Sequence, residues 1–174
     1  MGSPKALLPL GGEPLICAHV HALSARCAVV RVVIGAHADE VSAVLPPGVE
    51  IIENRDWALT QTRDSLRIGL KGIPPDARVV VTPVDTPPVT TQVLDALLDA
   101  EGPAVPQHTG QPGHPVVVHA GPARVALANG TLRDHIATAK HISVEEPRVL
   151  LGFNTPEEWT AWAGTYSSPR ISRS

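Results

Sequence analysis

Short β-branched runs alternate with apolar stripes at helical spacing along the 174 residues, and this alternation predicts strands and helices in turn. Residues 29–34 (V-V-R-V-V-I) read as a strand. Gly35-Ala36-His37 then turns into a helix with Val41, Val44 and Leu45 on one face, closed by Pro46-Pro47-Gly48. Residues 49–52 form a short strand running into Glu53-Asn54, and 62–70 a helix that ends at Gly72. The next strand, 78–85, carries Val79, Val80, Val81 and Val84, a near-continuous apolar run suited to a strand covered on both faces. Pro87-Pro88 stops it for want of ladder donors. Thr90 or Thr91 caps a helix over 91–100 with Val93, Leu94, Leu97 and Leu98 at helical spacing.

On either side of this middle the pattern is less even. Gly11-Gly12 makes a turn, and Glu13-Pro14 opens a helix to about Ala25 through Leu15, Ile16, Ala18, His19, Ala22 and Leu23. Beyond Ala100, the apolar runs 104–106 and 116–118 flank a polar loop, 107–114, which contains Gly110, Pro112 and Gly113. Residues 122–128 and 131–139 read as helices, 141–144 and 148–151 as strands. Thr155-Pro156-Glu157-Glu158 is a strong helix start, with a capping Thr, Pro at the first position and Glu three residues after the cap. The expected fold is α/β: a three-layer α/β/α, Rossmann-like domain with a mostly parallel sheet over residues 1–165, followed by a disordered tail, 166–174.

Composition narrows the function classes. A formal charge of −3 and 3% aromatic residues leave neither the basic footprint nor the stacking surface that a nucleic acid needs. With 43% hydrophobic residues and no run of spanning length, no membrane partner is expected, and Cys17 and Cys27 fit reduced thiols in a cytoplasmic protein. Chemistry is expected at Asp85, because ligands of open α/β sheets sit beyond the carboxyl ends of the strands. A capping acid is the alternative for the same residue. Gly2, Ser3 and Lys5 precede a helix-bound segment, and backbone N–H groups plus one ammonium suit a polyphosphate; a solvated surface lysine is the alternative.

The stretch M-G-S-P-K-A-L-L-P-L-G-G-E-P-L resembles the end of the signature of the nucleotidyltransferases related to the molybdenum-cofactor guanylyl- and cytidylyltransferases, the MobA and MocA type. Further stretches agree in order: N-R-D-W with T-Q-T-R-D-S-L-R-I-G-L in 54–70, the segment 84–90, G-Q-P-G-H-P-V from Gly110, and L-G-F-N-T-P-E-E-W from Leu151. The resemblance implies that Gly2, Ser3 and Lys5 touch the triphosphate, that Asn54 and Ser65 lie near the nucleotide, and that Asp85 holds Mg²⁺. It also implies that Gly113, His114 and Pro115 line the acceptor side. The substrate would be CTP or GTP, and the acceptor a molybdopterin-type or other phosphorylated compound such as a sugar phosphate.

Two departures bear on activity. The chain opens at the Met of the family's R-M-G, so the preceding strand and most of the glycine-rich loop are expected to be missing. Self-association through open strand edges is a further expectation. The family's second metal carboxylate is replaced by Asn154, a poorer Mg²⁺ ligand. A catalytically impaired nucleotide-binding relative is therefore the alternative function.

Overall fold

A computed structural model describes residues 4–165 of the chain. After a 3-10 turn over Lys5–Leu7, β1 (Pro9–Leu10) and β2 (Glu13–Pro14) form a small antiparallel hairpin. Gly11 and Gly12 turn it with φ of 61° and 92°, a region closed to most side chains. The Glu13-Pro14 pair expected inside the first helix is therefore spent on β2, and α1 runs over Leu15–Ser24. There follow β3 (Arg31–Ile34), α2 (Ala38–Val44), β4 (Glu50–Glu53), α3 (Thr62–Gly69), β5 (Arg78–Val81) and α4 (Thr91–Asp99). The remainder is β6 (Ala104–His108), β7 (Gln111–Pro112), β8 (Val116–His119), α5 (Ala120–Asn129), α6 (Leu132–Ile136), β9 (Lys140–Ser143) and α7 (Pro156–Ala163).

Several expected boundaries move, each for a local reason. The strand expected to reach Asp85 ends at Val81, because Pro83 offers no ladder donor and Thr86 Oγ1 turns back to the Pro83 carbonyl at 2.8 Å. Residues 148–151, expected as a strand, form the 3-10 turn Pro147–Leu150 instead. There Pro147 sits at the first position, and the Glu146 carboxylate accepts from the Arg148 backbone N–H at 3.2 Å and from its guanidinium at 2.6 Å. The polar loop 107–114 contains a tight hairpin of its own, Gln107 opposite Pro112 and His108 opposite Gln111.

The sheet is mixed rather than simply parallel. β3 and β4 pair in parallel, as do β6 and β9. Because β5 and β6 each run antiparallel to β8, the two point the same way, and β8 is the reversed strand between them. Alternation along the strands serves two helical layers. Val117 and Val80 face α4 in a core with Val93, Leu97 and Val149, whereas Val118, Val79 and Val81 face α3 and α5 with Leu70, Ala123 and Leu127.

The β3–β4 pair and the larger sheet are separate ladders among the described residues, joined through helices. Arg31, at the start of β3, donates from Nη1 to the carbonyls of Gly69 and Lys71 at 2.6 and 2.8 Å, at the end of α3. β5 also starts just after that end, so the starts of β3 and β5 both lie near the end of α3. On the opposite side α1 and the residues just after it reach both halves, through Cys17 Sγ to the Val44 carbonyl at 3.1 Å and the Arg26–Asp95 ion pair.

Candidate active site

Beyond Val81 the chain makes a turn over residues 82–86, and its backbone is tied on several sides. Thr86 is buried at 5% exposure, and its carbonyl lies 3.0 Å from His19 Nε2 on α1. The Asp85 carbonyl accepts from Phe153 N–H at 2.7 Å. With its backbone held in this way, Asp85 presents its carboxylate to Lys5, Oδ2 to Nζ at 3.0 Å, both side chains about one-third exposed. An exposed pair of this kind contributes about 1 kcal/mol or less to stability. Lys5 and Asp85, 80 positions apart in sequence, thus meet; Gly2 and Ser3 lie outside the described residues.

Asn154 follows Phe153, whose N–H bond to the Asp85 carbonyl brings this segment beside the turn. Phe153 is 5% exposed and packs edge-on against Trp159, with centroids 5.3 Å apart, and against Trp162 at 5.0 Å. The Glu158 carboxylate accepts from the Asn154 and Thr155 N–H groups at 2.8 and 3.2 Å, closing a capping box that locks the entry to α7. The candidate oxygen donors on the two joined segments are the Asp85 carboxylate and the neutral Asn154 amide, and no cluster of three or more His, Cys, Asp or Glu that could hold a metal occurs among the described residues. Such an oxygen-only set fits Mg²⁺ or Mn²⁺ carried on substrate phosphates, since Mg²⁺ keeps most of its waters and asks for one or two protein carboxylates.

Asn54 and Ser65 also come together. Asn54, 2% exposed, donates from Nδ2 to Thr60 Oγ1 at 2.9 Å and to Ser65 Oγ at 3.0 Å. These bonds hold the 54–61 loop against the start of α3, and that loop exposes Trp57 and Leu59. The 54–61 loop follows the carboxyl end of β4 and the 82–86 turn that of β5, the strand ends where α/β folds bind ligands.

Gly113, His114 and Pro115 follow the β6–β7 hairpin, tied to β6 and to the 3-10 turn at 147–150. Gly113 N–H donates to the Pro106 carbonyl and His114 N–H to the Val149 carbonyl, both at 2.8 Å. A Cβ on Gly113 would stand 2.1 Å from the Val149 carbonyl oxygen, so no larger residue fits this crossing. The His114 ring reaches the surface, yet protein crowds it enough that desolvation lowers its pKa from 6.5; the Asp85 carboxylate pulls the other way, and Arg133 adds to the lowering. Burial likewise lowers the pKa of His19, against the pull of the Thr86 and Val84 carbonyls and of Asp85.

His19, Thr86 and Arg133 were not legible as site residues. A histidine in the otherwise apolar 15–20 stripe of α1 was the available signal for the first; nothing in the pattern marked the others.

Residues 1–144 match the MobA-like NTP transferase domain. The chain is 36% identical over 149 residues to the 2-C-methyl-D-erythritol 4-phosphate cytidylyltransferase of Streptomyces coelicolor, and 32% identical over 152 residues to that of Streptomyces avermitilis. Each match takes in 72% of this chain but only 55% and 59% of those relatives, a little over half their length. Among solved structures, a nucleotidyl transferase from Methanothermobacter superposes with a TM-score of 0.78 at 23% identity, over 92% of this chain and 84% of that one. The Mycobacterium tuberculosis protein Rv0371c in complex with manganese superposes at 0.75 and 21% identity, over 94% and 93%. These likenesses, at such identities, establish the fold.

Proposed function

The chain belongs to the MobA-like NTP transferase family, and from that premise we propose that it transfers a nucleoside monophosphate, CMP in the first instance, from an NTP to a small phosphorylated acceptor. The observation that carries this reading is the Lys5–Asp85 pair, 3.0 Å apart at the carboxyl edge of the sheet and carried on a pinned turn. CTP and a polyol or sugar phosphate are favoured over GTP and molybdopterin, because the curated relatives are named for cytidylyl transfer to 2-C-methyl-D-erythritol 4-phosphate.

In the proposed reaction an acceptor phosphate oxygen attacks the α-phosphorus, the bond from that phosphorus to the bridging oxygen breaks, and pyrophosphate leaves. No protein nucleophile is needed; positioning and charge neutralisation carry the rate. Lys5 leaves Asp85 to meet the triphosphate oxygens, a role proposed also for Gly2 and Ser3 just before it in sequence. Asp85, with Asn154 beside it, would hold Mg²⁺ or Mn²⁺, which on binding neutralises charge on the phosphates. Asn54 and Ser65 shape the nucleotide side, and the Gly113-His114-Pro115 corner the acceptor side, where a neutral His114 and the cationic Arg133 suit an anionic group.

Asn154 favours a second reading, a nucleotide-binding relative with impaired catalysis, since a neutral amide stands where a second carboxylate would strengthen the metal site. Pyrophosphate release with CTP or GTP, Mg²⁺ and each acceptor in turn separates the two. Release with CTP and 2-C-methyl-D-erythritol 4-phosphate supports transfer to a polyol phosphate; release only with a molybdopterin acceptor overturns that preference; nucleotide binding without release supports the second reading.

A further inference from the structure

Beneath the Asp85 turn lies a histidine that the proposed chemistry does not use. His19 sits in the middle of α1, 3% exposed, with buried Leu15, Ile16, Cys17, Ala18 and Val20 around it in sequence. Its Nε2 lies 3.0 Å from the Thr86 carbonyl oxygen, while Nδ1 is buried without a hydrogen-bond partner. A carbonyl only accepts, so Nε2 carries the proton and donates, and Nδ1 holds the lone pair. Burying an acceptor with no donor is unfavourable, and a leucine here would fill the helix stripe without that penalty. What a leucine lacks is a donor that reaches across to residue 86.

We propose that His19 is a positioning residue for Asp85: its Nε2–H clamps the Thr86 carbonyl, seats the 82–86 turn on α1, and so keeps the Asp85 carboxylate turned toward Lys5 and the substrate phosphates. The functional part of this inference rests on the reading of Asp85 given above. The other ties of the turn do not do the same job. Thr86 Oγ1 to the Pro83 carbonyl is internal to the turn, and Phe153 N–H to the Asp85 carbonyl leads to the segment before α7. His19 supplies the tie to α1, and α1 in turn follows directly from the hairpin that connects to Lys5. Both partners of the ion pair are therefore referred to one helix.

The test compares His19→Gln, whose amide nitrogen reaches the place of Nε2, with His19→Met and His19→Asn, which fill the site but put no donor there. The control is Leu127→Ala, a destabilising change in the α3–α5 core that removes no hydrogen bond of the turn. The readouts are amide hydrogen exchange at Phe153 and Mn²⁺ affinity measured from the signal of the free ion. Exchange at Phe153 is expected to be about tenfold faster in His19→Met or His19→Asn than in a Leu127→Ala protein of matched melting temperature, with His19→Gln near wild type. Mn²⁺ affinity should fall several-fold in the first two and be largely restored by Gln. Phe153 exchange no faster than in the control, or a Gln variant indistinguishable from Asn, would overturn the role of His19. If wild type itself binds no Mn²⁺, the metal reading of Asp85 fails, while the exchange comparison still decides whether His19 seats the turn.

Discussion

Val79-Val80-Val81 in β5 and Val116-Val117-Val118 in β8 are the same side chains, hydrogen-bonded to each other in register, and they occupy different surroundings. Val79 pairs with Val118, Val80 with Val117, and Val81 with Val116. The β8 triplet is 0–1% exposed, whereas all three valines of β5 are only half-buried. The cause lies in the neighbours: β8 has a strand on each side, β5 and β6, while β5 has β8 alone among the described residues. A valine run thus announces a strand without saying how many strands flank it. The less covered strand is the one that leads into Asp85, so the scaffold and the candidate site divide between two adjacent, near-identical segments.

The sharpest way to break that comparison is a buried charge. Val117→Asp should cost about 4 kcal/mol or more and leave little folded protein, because its carboxylate would lie in the sealed core with Leu97 and Val149; Val80→Asp, half-buried, should cost roughly half as much. Urea denaturation of both variants decides it, and equal losses would mean that the two strands are equally covered. Truncation gives the same contrast at smaller amplitude. Val117→Ala should lose about 2–3 kcal/mol and Val80→Ala about 1 kcal/mol.

Acid sensitivity should belong to the site end of β5. His19 and His114 both have folded pKa values below their ordinary 6.5, so the unfolded chain takes up protons first as pH falls. Stability is then complete above pH 6.5 and is lost as pH drops below it, with a slope of up to about 1.4 kcal/mol per pH unit from buried His19 and a smaller one from the more exposed His114. Melting curves between pH 8 and 5 test the sign, and His19→Gln should remove part of the slope. A melting temperature that rises on acidification through this window would contradict the burial of His19.

The strand–helix alternation was legible because it rests on local periodicity, and so was the cap of α7, where Thr155 and Glu158 bond each other's backbone as the T-P-E-E pattern requires. Asp85 and Lys5 were each legible as candidates, from a strand end and from a phosphate-suited segment, but their meeting was not. Nothing local to Lys5 or Asp85 says that they touch across 80 residues. Two readings failed where proline outweighed a β-branched run: Pro83 ended β5 four residues short of Asp85, and Pro147 with Glu146 wound 147–150 into a 3-10 turn. The role assigned to His19 was hidden because a helix stripe accepts a histidine by spacing alone, and its partner lies 67 residues away.

The ion pair itself should matter least to folding. Lys5→Ala should shift stability by no more than about 1 kcal/mol, since both partners of the pair are about one-third exposed. The same change should weaken nucleoside triphosphate binding by about tenfold or more, the worth of one charge-assisted hydrogen bond to phosphate.

The most direct test of the central claim, that the turn after β5 holds a metal–nucleotide site, is calorimetric titration of CTP with and without Mg²⁺ into wild type and Asp85→Asn, with melting temperatures measured alongside. Mg²⁺-dependent binding by wild type, lost in Asp85→Asn at an almost unchanged melting temperature, is the predicted result. Binding that survives Asp85→Asn, or a variant that loses stability while still binding, would show Asp85 to be a structural cap and would contradict the account.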